Sequence, residues 1–92
     1  MTAEIIQNLK IINEKGLHAR ASAKFVETVE KFDASAIVEK DGMEVSGDSI
    51  MGLLMLAAPR GSLIRVTVKG MQARELSEAL ANLVGDYFGE GM

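Results

Sequence analysis

Cysteine and tryptophan are absent from this chain, proline and histidine occur once each, and one Tyr and three Phe are its only aromatics. The lack of cysteine excludes disulfides, thiolate nucleophiles and Cys-ligated zinc, and it fits a reducing compartment. With so few aromatics, the core must be mostly aliphatic and must stand on packing alone. Basic residues do not dominate either: ten Lys and Arg against thirteen Asp and Glu give a net charge of −3. That balance lacks the broad positive field on which binding to a phosphate backbone depends, so nucleic acid is not an expected partner. No apolar run approaches the roughly 20 residues a bilayer requires. The N-terminal stretch MTAEIIQNLKII sets Glu4, Gln7, Asn8 and Lys10 among its apolar residues, unlike the core of a signal peptide. A cytoplasmic protein without membrane insertion is expected.

What the chain does contain is a globular balance, 48% hydrophobic against 25% charged over 92 residues. That is enough for one compact domain spanning 1–92 and too little for two cores. Gly16, Asp41-Gly42, Gly47, Pro59-Arg60-Gly61 and Gly70 punctuate it into seven short elements. Residues 4–12 place Ile5, Gln7, Leu9 and Ile11 on one side of a strand. Over residues 19–32 the positions Ser22, Phe25, Val26, Val29 and Phe32 form a helical stripe opposite Lys24, Glu27 and Lys31. Residues 34–40 and 43–45 flank Asp41-Gly42, the dipeptide suited to the positive φ angles of a tight hairpin turn. Asp48 or Ser49 can cap a short helix that Pro59 and Gly61 stop. Ile64, Val66 and Val68 alternate with Arg65, Thr67 and Lys69 as a half-buried strand. Leu76, Ala79, Leu80, Leu83, Val84 and Tyr87 form the clearest helical stripe. The order is βαββαβα. Strands with one wet face and helices with one apolar side pack as two layers, so the expected fold is an α+β open-faced sandwich: a four-stranded antiparallel sheet with three helices on one face.

The single histidine sits in Gly16-Leu17-His18-Ala19-Arg20-Ala21-Ser22-Ala23, at the junction of first strand and first helix. Backbone N–H groups there lack intrahelical partners and the helix dipole is positive, which suits an anion. Arg20, two residues on, supplies a permanent charge able to bind phosphate in bidentate fashion. A neutral imidazole with a free lone pair can act as a nucleophile toward a transferable phosphoryl group. Competing chemistries fit poorly. One histidine without cysteine leaves too few strong ligands for a zinc site, so no metal is expected. A Ser-His-Asp triad would leave little chain for a cleft and an oxyanion hole. The glycine spacing of nucleotide-binding loops is missing, so no cofactor is signalled and any phosphoryl donor comes from outside.

A second feature is the stretch Asp48-Ser49-Ile50-Met51-Gly52-Leu53-Leu54-Met55-Leu56, apolar on nearly every side of a short helix. If Ile50, Leu53, Leu54 and Ala57 face the core, Met51 and Met55 remain near the surface, where flexible side chains suit contact with several partners. Ser49 at the helix start is most simply a cap. A phosphate on it would put roughly two negative charges beside that apolar surface.

These residues resemble HPr, the histidine-containing phosphocarrier of the bacterial phosphoenolpyruvate-dependent phosphotransferase system, over nearly the whole chain. GLHARASA is similar to the family's active-site motif, commonly Gly-Leu-His-Ala-Arg-Pro, and DSIMGLLML is similar to its regulatory-serine segment. The resemblance implies the open-faced βαββαβα sandwich, and a carrier that forms no net product of its own. It implies His18 as acceptor of a phosphoryl group from phosphorylated enzyme I, through Nδ1, with Arg20 as the active-site arginine and a IIA-type domain as the next recipient. Ile50, Met51, Leu54 and Met55 match the docking helix, and Ser49 matches the serine modified by HPr kinase/phosphorylase in some branches. A monomer is expected. Two departures stand out. Ala21 occupies the usual proline position, a mild change because alanine adopts the same helical conformation. Asp48 occupies a position often basic in the family, where its charge opposes a phosphate on Ser49. The segment SIMGLLMLAAPRG looks more like the nitrogen-related branch than the sugar-uptake branch. The contrasting reading is a non-catalytic regulatory or ligand-binding α+β domain acting through protein contacts.

Overall fold

The computed structural model describes residues 3–92; Met1 and Thr2, at the start of the N-terminal stretch read above, lie outside the described residues. The elements are β1 (Ala3–Lys10), α1 (Ala19–Glu30), β2 (Ser35–Lys40), β3 (Met43–Ser46), α2 (Ile50–Met55), β4 (Leu63–Gly70) and α3 (Ala73–Gly85), followed by a 3-10 turn (Tyr87–Gly89). The seven expected elements are present in the expected order. Both longer helices end or turn earlier than their apolar stripes suggested, α1 at Glu30 rather than Phe32 and α3 at Gly85.

All strand pairings in the sheet are antiparallel, in the order β1-β4-β2-β3. The β2–β3 hairpin turns through Asp41 and Gly42 at φ 51° and 86°, so the dipeptide provides the left-handed pair that such a turn demands. β4 runs between β1 and β2, matching Ile5 with Val68 on one side and Ala36 with Val68 on the other. Its alternation is thereby explained: Ile64, Val66 and Val68 are fully buried under the helices, while Arg65 and Lys69 point to the open face and pair with Glu39 and Glu4.

The helices supply the other half of the core. Phe25, Val26 and Val29 of α1 and Leu76, Leu80 and Val84 of α3 meet Val38, Ile64, Val66 and Val68 of the sheet. Each such side chain stabilises the fold by about 1.5–3 kcal/mol when fully withdrawn from water. α2 is lodged against α1 and the end of β3, and it departs from the expected orientation. Leu53 and Leu56 are buried, whereas Ile50 is 40% exposed and Ala57 lies outside at φ 49°. A six-residue helix presents too few turns for its apolar pattern to select a face; contact with α1 makes the choice.

Candidate functional site

Residues 13–18 lead from the sheet into α1 through a turn built around Gly16, whose φ is +66°. Gly16 N–H donates to the Asn13 carbonyl (3.1 Å), His18 N–H donates to the Gly16 carbonyl (2.9 Å), and Leu17 N–H ties the loop to the Ala58 carbonyl (2.9 Å). The fully buried Asn13 side chain locks this turn, its Nδ2 donating to the Gly16 carbonyl at 2.8 Å. The result sets His18 at the N-cap of α1, in extended backbone conformation.

The cap is made by the imidazole itself. Nδ1 of His18 accepts from the backbone N–H of Arg20 at 3.3 Å. A backbone N–H can only donate, so Nδ1 presents a lone pair to the helix N-terminus. On the other side of the ring, Nε2 meets the Glu90 carboxylate, whose second oxygen accepts from Asn13 Nδ2 at 2.9 Å. Burial raises the pKa of Glu90, but hydrogen bonds from Asn13 and His18, with the nearby charges of His18 and Arg20, outweigh it and hold the carboxyl below its ordinary value. Oδ1 of Asn13 is buried without a partner among the described residues. Arg20 is exposed at the rim of a cleft of about 350 Å³ bordered also by Lys15, Lys24 and Glu90.

Glu90 reaches His18 because the chain reverses after α3. Tyr87, Phe88 and Gly89 take φ angles of 57°, 53° and 76°, a left-handed run that costs about 1–2 kcal/mol at each non-glycine residue. Burial of Phe88, fully enclosed in the core, offsets about 1.5–3 kcal/mol. The remainder comes from hydrogen bonds at about 0.5–1.5 kcal/mol each: Lys24 Nζ donates to the Phe88 carbonyl (2.6 Å) and Glu14 N–H donates to the Met92 carbonyl (3.2 Å). This corrects the expected α3 stripe. Tyr87 faces outward in the 3-10 turn, and the core position at its end belongs to Phe88.

The structure thus places His18 and Arg20 together at one helix N-terminus, and it adds Asn13 and Glu90, which sequence reasoning did not single out. Asn13 was legible only as part of a turn, and Glu90 only as one carboxylate in a glycine-rich tail. Ser49 lies at the N-cap of α2, its Oγ accepting from Gly52 N–H at 3.0 Å. Ser46 Oγ donates to the Asp48 carboxylate at 2.6 Å. Met51 and Met55 are 69% and 65% exposed, Leu54 is half-buried, and with Ile50 they form an apolar outer face on α2.

Residues 5–86 match the PTS-HPr family, described as the PTS HPr component phosphorylation site. The chain belongs to the HPr family. HPr proteins are carriers within the phosphotransferase system and not catalysts with a product of their own, and this chain is a phosphocarrier of that kind. It is 47% identical over 85 residues to the phosphocarrier protein HPr of Neisseria meningitidis serogroup A, covering 92% of this chain and 96% of that one. Among solved structures it superposes on HPr-C-His from Thermoanaerobacter tengcongensis with a TM-score of 0.91 at 36% identity, over 96% of this chain and 99% of the other. A structure described as an HPr dimer from the same organism matches with a TM-score of 0.75 at 39% identity, over 89% and 94%. The partners of an HPr are phosphotransferase-system components. Among the described residues no helix is long and apolar enough to cross a membrane.

Proposed function

We propose that His18 carries the phosphoryl group, that the chain acts as one cytoplasmic phosphocarrier domain and as a monomer, and that enzyme I and a IIA-type domain are its donor and acceptor. In the forward step the His18 Nδ1 lone pair attacks phosphorus on the phosphohistidine of enzyme I. The donor's P–N bond breaks as the new one forms, and the electron pair returns to the donor imidazole. Transfer onward repeats the exchange with a histidine of the recipient. The observation that supports this most directly is the capping geometry, with Nδ1 directed at the first-turn N–H groups of α1 and accepting from that of Arg20. A phosphoryl group placed there gains the dipole and those donors. The guanidinium of Arg20 makes no hydrogen bond or ion pair among the described residues and is free to donate to phosphate oxygens. The dipole contributes only about 0.3–2 kcal/mol, a modest hold that suits a group destined for transfer.

The test is intact mass after incubation with phosphoenolpyruvate and enzyme I, before and after mild acid. One acid-labile adduct is expected on the wild-type protein and none on His18→Ala; an adduct of equal yield on that variant rules His18 out. Arg20→Ala should slow transfer without unfolding the chain, and an unchanged rate removes its role. The apolar face of Ile50, Met51, Leu54 and Met55 is proposed as the docking surface for both partners, with Ser49 as its regulatory phosphorylation site.

A further inference from the structure

We infer that Glu90 is a positioning residue for His18: its carboxylate holds the imidazole with the proton on Nε2 throughout phosphoryl exchange, so that before attack Nδ1 keeps its lone pair, directed at the helix N-terminus. The inference rests on His18 being the acceptor and adds a residue that the active-site motif does not contain.

Three observations converge on it. First, the two ring nitrogens have opposite kinds of neighbour. Nδ1 faces a donor, the Arg20 N–H, and Nε2 faces an acceptor, the Glu90 carboxylate. Only the neutral tautomer protonated at Nε2 satisfies both. Second, the carboxylate is itself oriented. Its other oxygen is held by Asn13 Nδ2, and Asn13 is fixed by burial and by the Gly16 carbonyl. A carboxylate that orients a histidine through its second nitrogen, and is in turn held by a further hydrogen bond, is the arrangement that sets tautomer and ring angle in catalytic and metal-bound histidines. Third, the tail that brings Glu90 into place is anchored on both sides of it, by the buried Phe88 ring with Lys24 on its carbonyl and by the contact of Met92 with Glu14.

The exchange balances without moving a proton. Before attack His18 is neutral, with hydrogen on Nε2 and a lone pair on Nδ1. After attack Nδ1 bears the phosphoryl group, Nε2 keeps its hydrogen, and the ring's positive charge lies against the Glu90 carboxylate. The donor ring, cationic while phosphorylated, leaves neutral. Passing the group onward reverses this at the next histidine. Glu90 therefore complements the charge that appears on the ring only when the group is bound, and it does so from the side that the phosphoryl group does not occupy. Lys15, Lys24, Arg20 and Glu14 also border the cleft, so the carboxylate lies among groups of both signs.

The test combines ring ¹⁵N spectroscopy of the unphosphorylated protein with single-turnover transfer from phosphorylated enzyme I. In the wild type at mildly alkaline pH, Nε2 should give the protonated signature and Nδ1 the lone-pair signature. Glu90→Ala should admit the second tautomer and slow transfer by about 10-fold, the lower end of the range for residues that orient a histidine. Glu90→Asp should recover part of both losses. Unchanged ring signals and an unchanged rate in Glu90→Ala overturn the inference. So does slower transfer with unaltered ring signals, because the tail then acts on docking rather than on the imidazole. Failure of His18 itself as acceptor shows separately, as an absence of wild-type labelling while the ring signals still respond to Glu90.

Discussion

Gly16→Ala is the substitution whose cost can be worked most directly. A Cβ at residue 16 lies 2.4 Å from the Ala58 carbonyl oxygen and 2.9 Å from Pro59 Cα. Both are backbone atoms, so no side chain can swing aside to make room. The φ of +66° adds about 1–2 kcal/mol for an L-residue. Forcing a methyl group against packed backbone typically costs about 1–3 kcal/mol more. A loss of about 3 kcal/mol is therefore expected, a large share of the roughly 5–14 kcal/mol available to a chain this size. At about 4–8 °C per kcal/mol the melting temperature should fall by about 10–25 °C. The effect is also functional, because relief of the clash moves the turn away from Pro59 and takes His18 with it. Urea and thermal unfolding by circular dichroism measure the first effect, and the rate of labelling by enzyme I at a temperature where the variant is folded measures the second. A change within about 0.5 kcal/mol, with labelling at the wild-type rate, would refute the claim that this close approach holds the loop in place.

Phe88→Ala should cost about 3–5 kcal/mol by opening the core and release the tail, so Glu90 should lose its contact with His18; retention of the wild-type His18 ring signals in a folded variant would contradict this. The depressed pKa of Glu90 fixes a sign for acid stability. Its contribution is fully present above the ordinary value of 4.5 and fades as pH falls through the lower folded value, so the stability gap between wild type and Glu90→Gln should shrink below about pH 4.5. Urea midpoints across pH 3 to 7 measure that gap, and one that widens toward acid would be the wrong sign. Ser49→Ala should lose about 1 kcal/mol of capping, measurable by urea unfolding. Ser49→Asp and Met51→Glu should each weaken affinity for enzyme I in calorimetry while the fold persists, and equal affinities would remove α2 from the docking surface.

Local pattern made most of the architecture legible. The alternation of Ile64, Val66 and Val68, the stripe of Phe25, Val26 and Val29, and the left-handed pair Asp41-Gly42 are each decided within a few residues, because side-chain period and turn geometry are local properties. The same holds for His18 and Arg20, whose place at a helix start follows from where the stripe of α1 begins. Other features depend on groups distant along the chain. The order β1-β4-β2-β3 sets β4 between strands it does not adjoin in sequence, and the face that α2 buries is chosen by α1. Tyr87 continues the α3 stripe in sequence, yet a chain reversal exchanges it for Phe88.

The contact between His18 and Glu90 spans 72 positions, and that between Asn13 and Glu90 spans 77. By itself the sequence determined that the chain's one histidine stands at a helix N-terminus with an arginine two residues on, since a stripe, a glycine and a motif suffice for that. Only the tertiary structure decided which ring nitrogen keeps its lone pair, because that depends on a carboxylate carried back by a tail whose path is held by burial of one phenylalanine and by hydrogen bonds closed across the whole fold.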